Sequence, residues 1–141
     1  MNGGTETALA LVEMAPPKRI LIEKIEGLNI SADAKAVLCD ITAIAIDVGG
    51  RLIQVGRRII AFILDLVRSY PNTTFGLVAA LVVSALIASV PIMGAVLAPL
   101  LTPLLVAFGV AKGALVDLAH TPLARRVREL EDQFANLAPR G

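Results

Sequence analysis

The side chains that could carry out chemistry are few and far apart in this sequence. His120 is the only histidine and follows Asp117 by three residues, but neither a nucleophile nor a second histidine is nearby. Asp33, Asp40 and Asp47 recur every seven residues, so on a helix successive carboxylates lie about two turns apart and cannot converge on one cation. We therefore predict no enzymatic activity, no metal site and no cofactor, with the three aspartates on a solvated or salt-bridged face.

Composition favours a small membrane protein. The 141 residues are 56% hydrophobic and 4% aromatic, which is more apolar than a typical soluble domain. The 13 basic and 12 acidic residues nearly cancel to a net charge of +1, so overall charge favours neither a nucleic-acid-binding protein nor an acidic tail. One cysteine and one histidine exclude a disulfide-rich scaffold and a zinc module.

A run of 43 uncharged residues separates Arg68 from Lys112. As a single helix it would be about 65 Å long, roughly twice the ~30 Å hydrocarbon core of a bilayer. Pro91 blocks helix continuation and Gly94 suits a tight turn. We therefore predict a two-pass transmembrane hairpin over 74–111, with a re-entrant hairpin as the alternative. Its two arms would lie at 74–90 and 95–111.

Basic residues flank this hairpin on both sides, whereas its turn carries no charge. Arginine and lysine near membrane helices are enriched on the cytoplasmic side, so we expect both termini in the cytoplasm. The flanking residues are Arg51, Arg57, Arg58 and Arg68 before the hairpin, and Lys112, Arg125, Arg126 and Arg128 after it.

Two prolines in the second arm affect how that arm can pack. Pro99 and Pro103 lie one turn apart, and each lacks the N–H that would bond the carbonyl four residues earlier. Those carbonyls need partners in lipid, either on a neighbouring helix or from water. We favour a kinked helix packed on a neighbour. In the alternative, the pore-lining residues are Ser84, Pro99, Thr102 and Pro103.

A long amphipathic helix is predicted ahead of the hairpin, over 31–70. Ser31 suits an N-cap, with Asp33 in the first turn. Gly49, Gly50 and Gly56 weaken the middle of this helix, which predicts a bend or a break into two helices. Apolar residues alternate spacings of three and four along it, a pattern typical of helices that pack in oligomers. We expect a homo-oligomeric bundle whose seam is formed by Leu38, Ile41, Val48, Leu52, Val55, Ile59, Phe62 and Leu66.

Arg51, Arg57 and Arg58 lie beside these glycines and have two interpretations. The favoured one is a basic collar near anionic lipid headgroups. In the other, the symmetry of an oligomer multiplies them into a basic ring that binds a polyanion.

The C-terminal end of the sequence predicts its structure more clearly than the N-terminal end does. Thr121 and Pro122 suit the start of an amphipathic helix over 121–138. Its apolar residues step by four and three: Leu123, Val127, Leu130, Phe134 and Leu137. We expect it to serve in oligomerisation or to fold back on the long helix, with the bilayer surface as a third option. In the N-terminal segment 1–30, a short helix is expected over 5–14, and 20–30 fits a strand or a helix.

Three hairpin segments carry a resemblance to a known class of proteins: 70–76 (YPNTTFG), 86–94 (LIASVPIMG) and 98–105 (APLLTPLL). The chain resembles the small membrane effectors of bacterial antiphage defence, nearest those of the Hailong system. The resemblance implies an all-α, homo-oligomeric, ion-conducting pore in the bacterial inner membrane that depolarises the cell. It also implies closure by single-stranded DNA oligomers that a partner nucleotidyltransferase makes.

No motif of that class identifies a ligand-binding residue in this chain. We therefore assign oligonucleotide binding to Arg51, Arg57 and Arg58 as a hypothesis. A non-conducting membrane anchor or scaffold for a partner protein is the main alternative function, and a holin-like lysis protein is the third.

Overall fold

Six helices and one short β-hairpin make up the described part of this chain. A computed structural model describes residues 15–48, 50–70, 74–111, 113 and 122–136, so the helix expected over 5–14 lies outside them. The mostly helical class predicted from the sequence is confirmed. In chain order the elements are α1 (Lys18–Glu26), α2 (Ala32–Thr42), β1 (Ile46–Val48), β2 (Arg51–Ile53), α3 (Val55–Ser69), α4 (Phe75–Ser89), α5 (Pro91–Phe108) and α6 (Pro122–Ala135).

Local signals set the boundaries of α1 and α2. α1 begins directly after Pro17, and Gly27 is its C-cap. The segment 20–30, for which strand and helix were both open, is therefore helical through Glu26. α2 begins at the predicted N-cap, where the Ser31 hydroxyl accepts a hydrogen bond from the Ala34 N–H at 3.1 Å. Such a cap satisfies one of the backbone donors that every helix start leaves without a helical partner.

A β-hairpin replaces the middle of the helix predicted over 31–70. β1 and β2 pair in antiparallel fashion, with Ile46 opposite Ile53, and these two side chains are buried. Gly50 has φ +85, a conformation that favours glycine, and its N–H donates to Asp47 Oδ1 at 2.8 Å. The single long helix is therefore corrected to α2 and α3 joined by a hairpin. The predicted break at the paired glycines is confirmed.

Gly56 allows α3 to approach the end of α2 closely. Its N–H donates to the Ile44 carbonyl at 2.9 Å. A Cβ at this position would overlap the Ile41 carbonyl oxygen and lie 2.8 Å from that of Thr42. Gly56 was expected only to weaken a helix, and the structure shows that it is required for packing.

α4 and α5 form a helical hairpin within the predicted range, with the start of the second arm corrected, while the crossing of a membrane stays a prediction. The Thr74 hydroxyl caps α4 by accepting from the Leu77 N–H at 3.4 Å. α5 begins at Pro91, not at residue 95, because proline fits the first helical position, where no N–H partner is needed. At the open end of the hairpin the rings of Phe75 and Phe108 stack with centroids 5.8 Å apart.

α4 lies at the centre of the bundle. It packs against α3, α5 and α6, while α2 packs against α1, α3 and α5. The buried residues of α4 occur on every side of the helix: Gly76, Val78, Ala79, Ala80, Leu81, Val82, Val83 and Leu86. A helix apolar around its whole circumference needs such an environment.

α6 confirms the predicted C-terminal helix over the residues that the structure describes. It runs from Pro122 to Ala135 and buries Leu123, Val127, Leu130 and Phe134, whereas Leu137 lies outside the described residues. α6 folds back on the chain, but mainly onto the hairpin and not onto the long helix as predicted, while placement in an oligomer or on the bilayer surface stays a prediction. α6 packs on α4 and contacts α3 through polar side chains.

Most of the predicted oligomer seam lies in the chain's own core. Leu38, Ile41, Val55, Ile59, Phe62 and Leu66 are buried. Val48 is half-buried and packs against the core, whereas Leu52 is 66% exposed because it pairs with Asp47 on the face of the β-hairpin opposite to the buried Ile46 and Ile53. The spacing therefore reflects packing within one chain on either side of the β-hairpin, and the homo-oligomer stays a prediction.

Gly56→Ala should destabilise the fold. The added methyl group must displace backbone carbonyls at the end of α2, so we expect the free energy of unfolding to fall by about 2 kcal/mol. Urea unfolding monitored by circular dichroism measures this change. Gly113→Ala is the matched control, since a Cβ at Gly113 meets none of the described residues within 4 Å. Equal stability of Gly56→Ala and the unmodified protein would contradict the close approach.

Candidate functional site

One face of α5 is apolar and exposed. Three of its 18 residues are buried, Met93, Leu97 and Leu104, and their spacing keeps them on one side of the helix. We call the exposed residues opposite them the α5 arc. Its members are Pro91, Ala95, Ala98, Pro99, Thr102, Pro103 and Val106.

The α5 arc is wide and carries no charge. At about 100° per residue its members cover about 140° of the helix circumference. Thr102 is its single polar side chain, and Val106 is 76% exposed. Single apolar residues on a surface are ordinary, but a continuous apolar patch marks a contact with a partner or a membrane. The α5 arc is therefore the candidate functional surface.

Two prolines add polar backbone groups to the α5 arc. Pro99 and Pro103 stand inside α5, and because proline has no N–H, the carbonyls of Ala95 and Pro99 lack the usual helical donor. The predicted pore-lining residues Pro99, Thr102 and Pro103 thus lie together on the exposed face. Ser84, the fourth predicted residue, is half-buried on α4.

Among the described helices, α5 is the one long and apolar enough to cross a membrane. Its 18 residues have a mean hydropathy of 2.0 and extend about 27 Å, close to the ~30 Å of a hydrocarbon core. The core helix of a soluble protein can have the same composition, but such a helix is mostly buried, and only 17% of α5 is buried. α4 has 15 residues and is correspondingly shorter.

Two of the three arginines of the predicted basic ring bind oxygen atoms of this chain. Arg57 donates to the carbonyls of Ala15 at 2.6 Å and Pro16 at 3.0 Å. Arg58 donates twice to Gln133 Oε1, from Nε at 3.2 Å and from Nη2 at 3.1 Å. A polyanion that bound these two guanidinium groups would have to replace those acceptors.

Arg58 has the more enclosed position of the two. Its guanidinium carbon lies 5.7 Å from the centroid of the Phe62 ring. Burial lowers the pKa of Arg58, and the nearby Asp65 opposes this shift. Because arginine stays protonated in proteins, Arg58 is a half-buried charge that needs its acceptor on α6. Arg51, the third arginine, is exposed on β2.

The groups considered for catalysis do not form a site in the described ranges. His120 and Asp117 lie outside these ranges. Within them, no group of three His, Cys, Asp or Glu side chains could hold a metal ion. Burial, followed by the charges of Glu26 and Asp40, raises the pKa of Cys39, so this thiol stays protonated at neutral pH. A cysteine nucleophile needs the opposite shift.

No protein-family model matches this sequence, and searches among curated proteins and among solved structures also gave no match. Function is therefore inferred from the α5 arc and the helices around it. The exposure of Ala95, Ala98 and Val106 was not predicted, although these residues share a helix face with the two inner prolines, which is a signal that could have identified them. Gln133 had no local signal, since it lies 75 residues from Arg58.

Gln133→Ala should lower the free energy of unfolding by about 1 to 2 kcal/mol. The substitution leaves a half-buried guanidinium group without its side-chain acceptor. Gln54→Ala is the matched control, because Gln54 is exposed and its side chain makes no capping hydrogen bond. Equal effects of the two substitutions in urea unfolding would show that the contact contributes nothing specific.

Proposed function

We propose that this chain is a membrane-active protein whose hairpin of α4 and α5 enters the bilayer and forms an ion-conducting pore. The observation that carries the proposal is the α5 arc, an exposed apolar surface on a helix of nearly membrane-spanning length. An apolar surface of this extent is unfavourable in water. Hydrocarbon is the environment that matches both its length and its lack of charge.

The flanking charges fit a hairpin that enters from the cytoplasmic side. Arg68 precedes the hairpin, and the exposed Arg125 and Arg128 lie beyond it on α6. The turn at Val90 and Pro91 is uncharged, so it is the part that enters the bilayer at least cost. In this proposal both ends of the chain remain in the cytoplasm and the protein resides in the bacterial inner membrane.

Polar groups on the α5 arc favour a pore over a simple anchor. In a helix surrounded by lipid alone, the carbonyls of Ala95 and Pro99 would have no donor. The arc meets lipid while a single hairpin enters, and once several copies assemble with their arcs around a water-filled path, water supplies the donors and Thr102 adds a hydroxyl on the same face. Assembly of several copies is therefore part of the proposal.

Antiphage defence and control by a single-stranded DNA oligomer come from the resemblance of the hairpin segments. They stay predictions, as does the nucleotidyltransferase partner. The contacts of Arg57 and Arg58 with Ala15, Pro16 and Gln133 mean that oligonucleotide binding at these arginines requires a rearrangement of the described structure.

Ala98→Asp should abolish depolarisation when the protein is expressed in bacteria that carry a membrane-potential dye. Ala98 is near the middle of α5 and exposed, so the substitution spares the core. It adds about 3 kcal/mol to the cost of membrane insertion, a factor of about 100. Ala36→Asp is the matched control, because Ala36 is an exposed alanine of α2 and should leave depolarisation intact.

Two outcomes of this experiment would contradict the proposal. Equal depolarisation by Ala98→Asp and the unmodified protein would show that the α5 arc does not enter the bilayer. If the unmodified protein fractionates with the membrane at high expression and the potential is unchanged, the protein is an anchor and the pore is refuted.

A further inference from the structure

α6 covers the side of α4 that would have to meet lipid if the hairpin entered a bilayer. Its apolar residues Leu123, Val127, Leu130 and Phe134 are buried where α6 packs on α4. Its other side is charged, since Arg125, Arg128, Glu129 and Asp132 are exposed. Charged side chains at membrane depth are costly, so α6 cannot accompany α4 into hydrocarbon. The arrangement described here is therefore a closed one.

Two polar contacts hold α6 along α3. Arg126 Nη2 lies 3.1 Å from Asp65 Oδ2, and Gln133 Oε1 accepts from Arg58. Arg126 and Gln133 are seven residues apart on α6. Their partners on α3 are also seven residues apart, but in the opposite chain order, with Asp65 opposite Arg126 and Arg58 opposite Gln133. The helices thus run antiparallel, joined by side chains two turns apart. We call this pair of contacts the α3–α6 ladder.

The α3–α6 ladder is suited to opening. The Asp65 side chain is 59% exposed and that of Arg126 is 35% exposed, so water can replace their partners at little cost. The apolar face of α6 also has an alternative environment, because an amphipathic helix can lie in the membrane surface with its apolar face at the boundary between headgroups and acyl chains.

We propose that α6 is a detachable cover: the α3–α6 ladder holds it on α4, and the hairpin enters the bilayer only after α6 leaves. This inference rests on the proposed membrane entry and adds the step that controls it. It assigns Asp65, Arg126, Arg58 and Gln133 to control of entry and not to a ligand site.

A covalent tie across the ladder tests the cover. Asp65→Cys and Arg126→Cys are combined with Cys39→Ala, which removes the single native cysteine, and a short bismaleimide joins the two thiols. The purified full-length protein is mixed with vesicles of phosphatidylcholine and phosphatidylglycerol. Integrated protein is measured by flotation after a carbonate wash, and release of an encapsulated dye is measured separately. We expect the tie to reduce integration at least tenfold.

The matched control ties two helices that do not cover α4. The Lys35 amine donates to the Glu26 carbonyl at 2.9 Å, so Glu26→Cys with Lys35→Cys joins α1 to α2 by the same reagent, and this tie should leave integration unchanged. Equal integration of the α3–α6-tied and untied proteins would overturn the cover. Failure of the untied protein to integrate would overturn it together with membrane entry. If the untied protein integrates without releasing dye and the α3–α6 tie still blocks integration, the result supports the cover and refutes only the pore.

Weakening the ladder should have the opposite effect to the tie. Arg126→Ala removes the ion pair with Asp65, and we expect a two- to fivefold increase in integrated protein at limiting vesicle concentration. Arg125→Ala removes the neighbouring, exposed arginine and serves as the control. An equal increase for both variants would attribute the effect to net charge and contradict the ladder.

Discussion

The need to keep one uncharged helix out of water governs this structure. α4 is apolar on every side, and no single neighbour can cover it. α3, α5 and α6 therefore surround it, and α2 supports α5 from the other side. Close packing around α4 and between its neighbours depends on small residues. A Cβ at Gly76 would lie 2.6 Å from the Cβ of Phe108, so glycine at that position lets α4 and α5 approach closely at the open end of the hairpin.

α5 differs from α4 because its neighbours leave one side of it exposed. Met93, Leu97 and Leu104 are buried, whereas the α5 arc faces outwards. The same hairpin contains an exposed apolar arc and a buried apolar helix. Both features are explained if the hairpin occupies two environments, the bundle and the bilayer. The amphipathic helices are then covers as well as structural elements. Their charged faces keep the closed form in water, and their apolar faces hold the hairpin.

Local features of the sequence predicted several elements correctly. Ser31 as a cap, the break at Pro91 and the start of α6 at Pro122 each depend on a backbone preference of one residue. The helix over 31–70 was wrong in its middle because steps of three and four also fit two helices separated by three-residue strands. Tertiary contacts could not be predicted in the same way. The bond between Arg58 and Gln133 spans 75 residues, and in a helix apolar on all sides, such as α5, hydropathy alone does not indicate which side will be exposed.

Membrane entry requires contact between the α5 arc and the acyl chains of the lipid. The chain contains no tryptophan, so Ala98→Trp introduces a single fluorescent reporter near the middle of the arc, and Ala36→Trp places the same reporter on α2. Quenching by lipids brominated along their acyl chains then reports which residue lies in hydrocarbon. At a protein-to-lipid ratio that keeps inserted copies apart, we expect strong quenching of the reporter at Ala98 and little at Ala36. Equal, weak quenching at both positions would contradict membrane entry and would place α5 outside the bilayer.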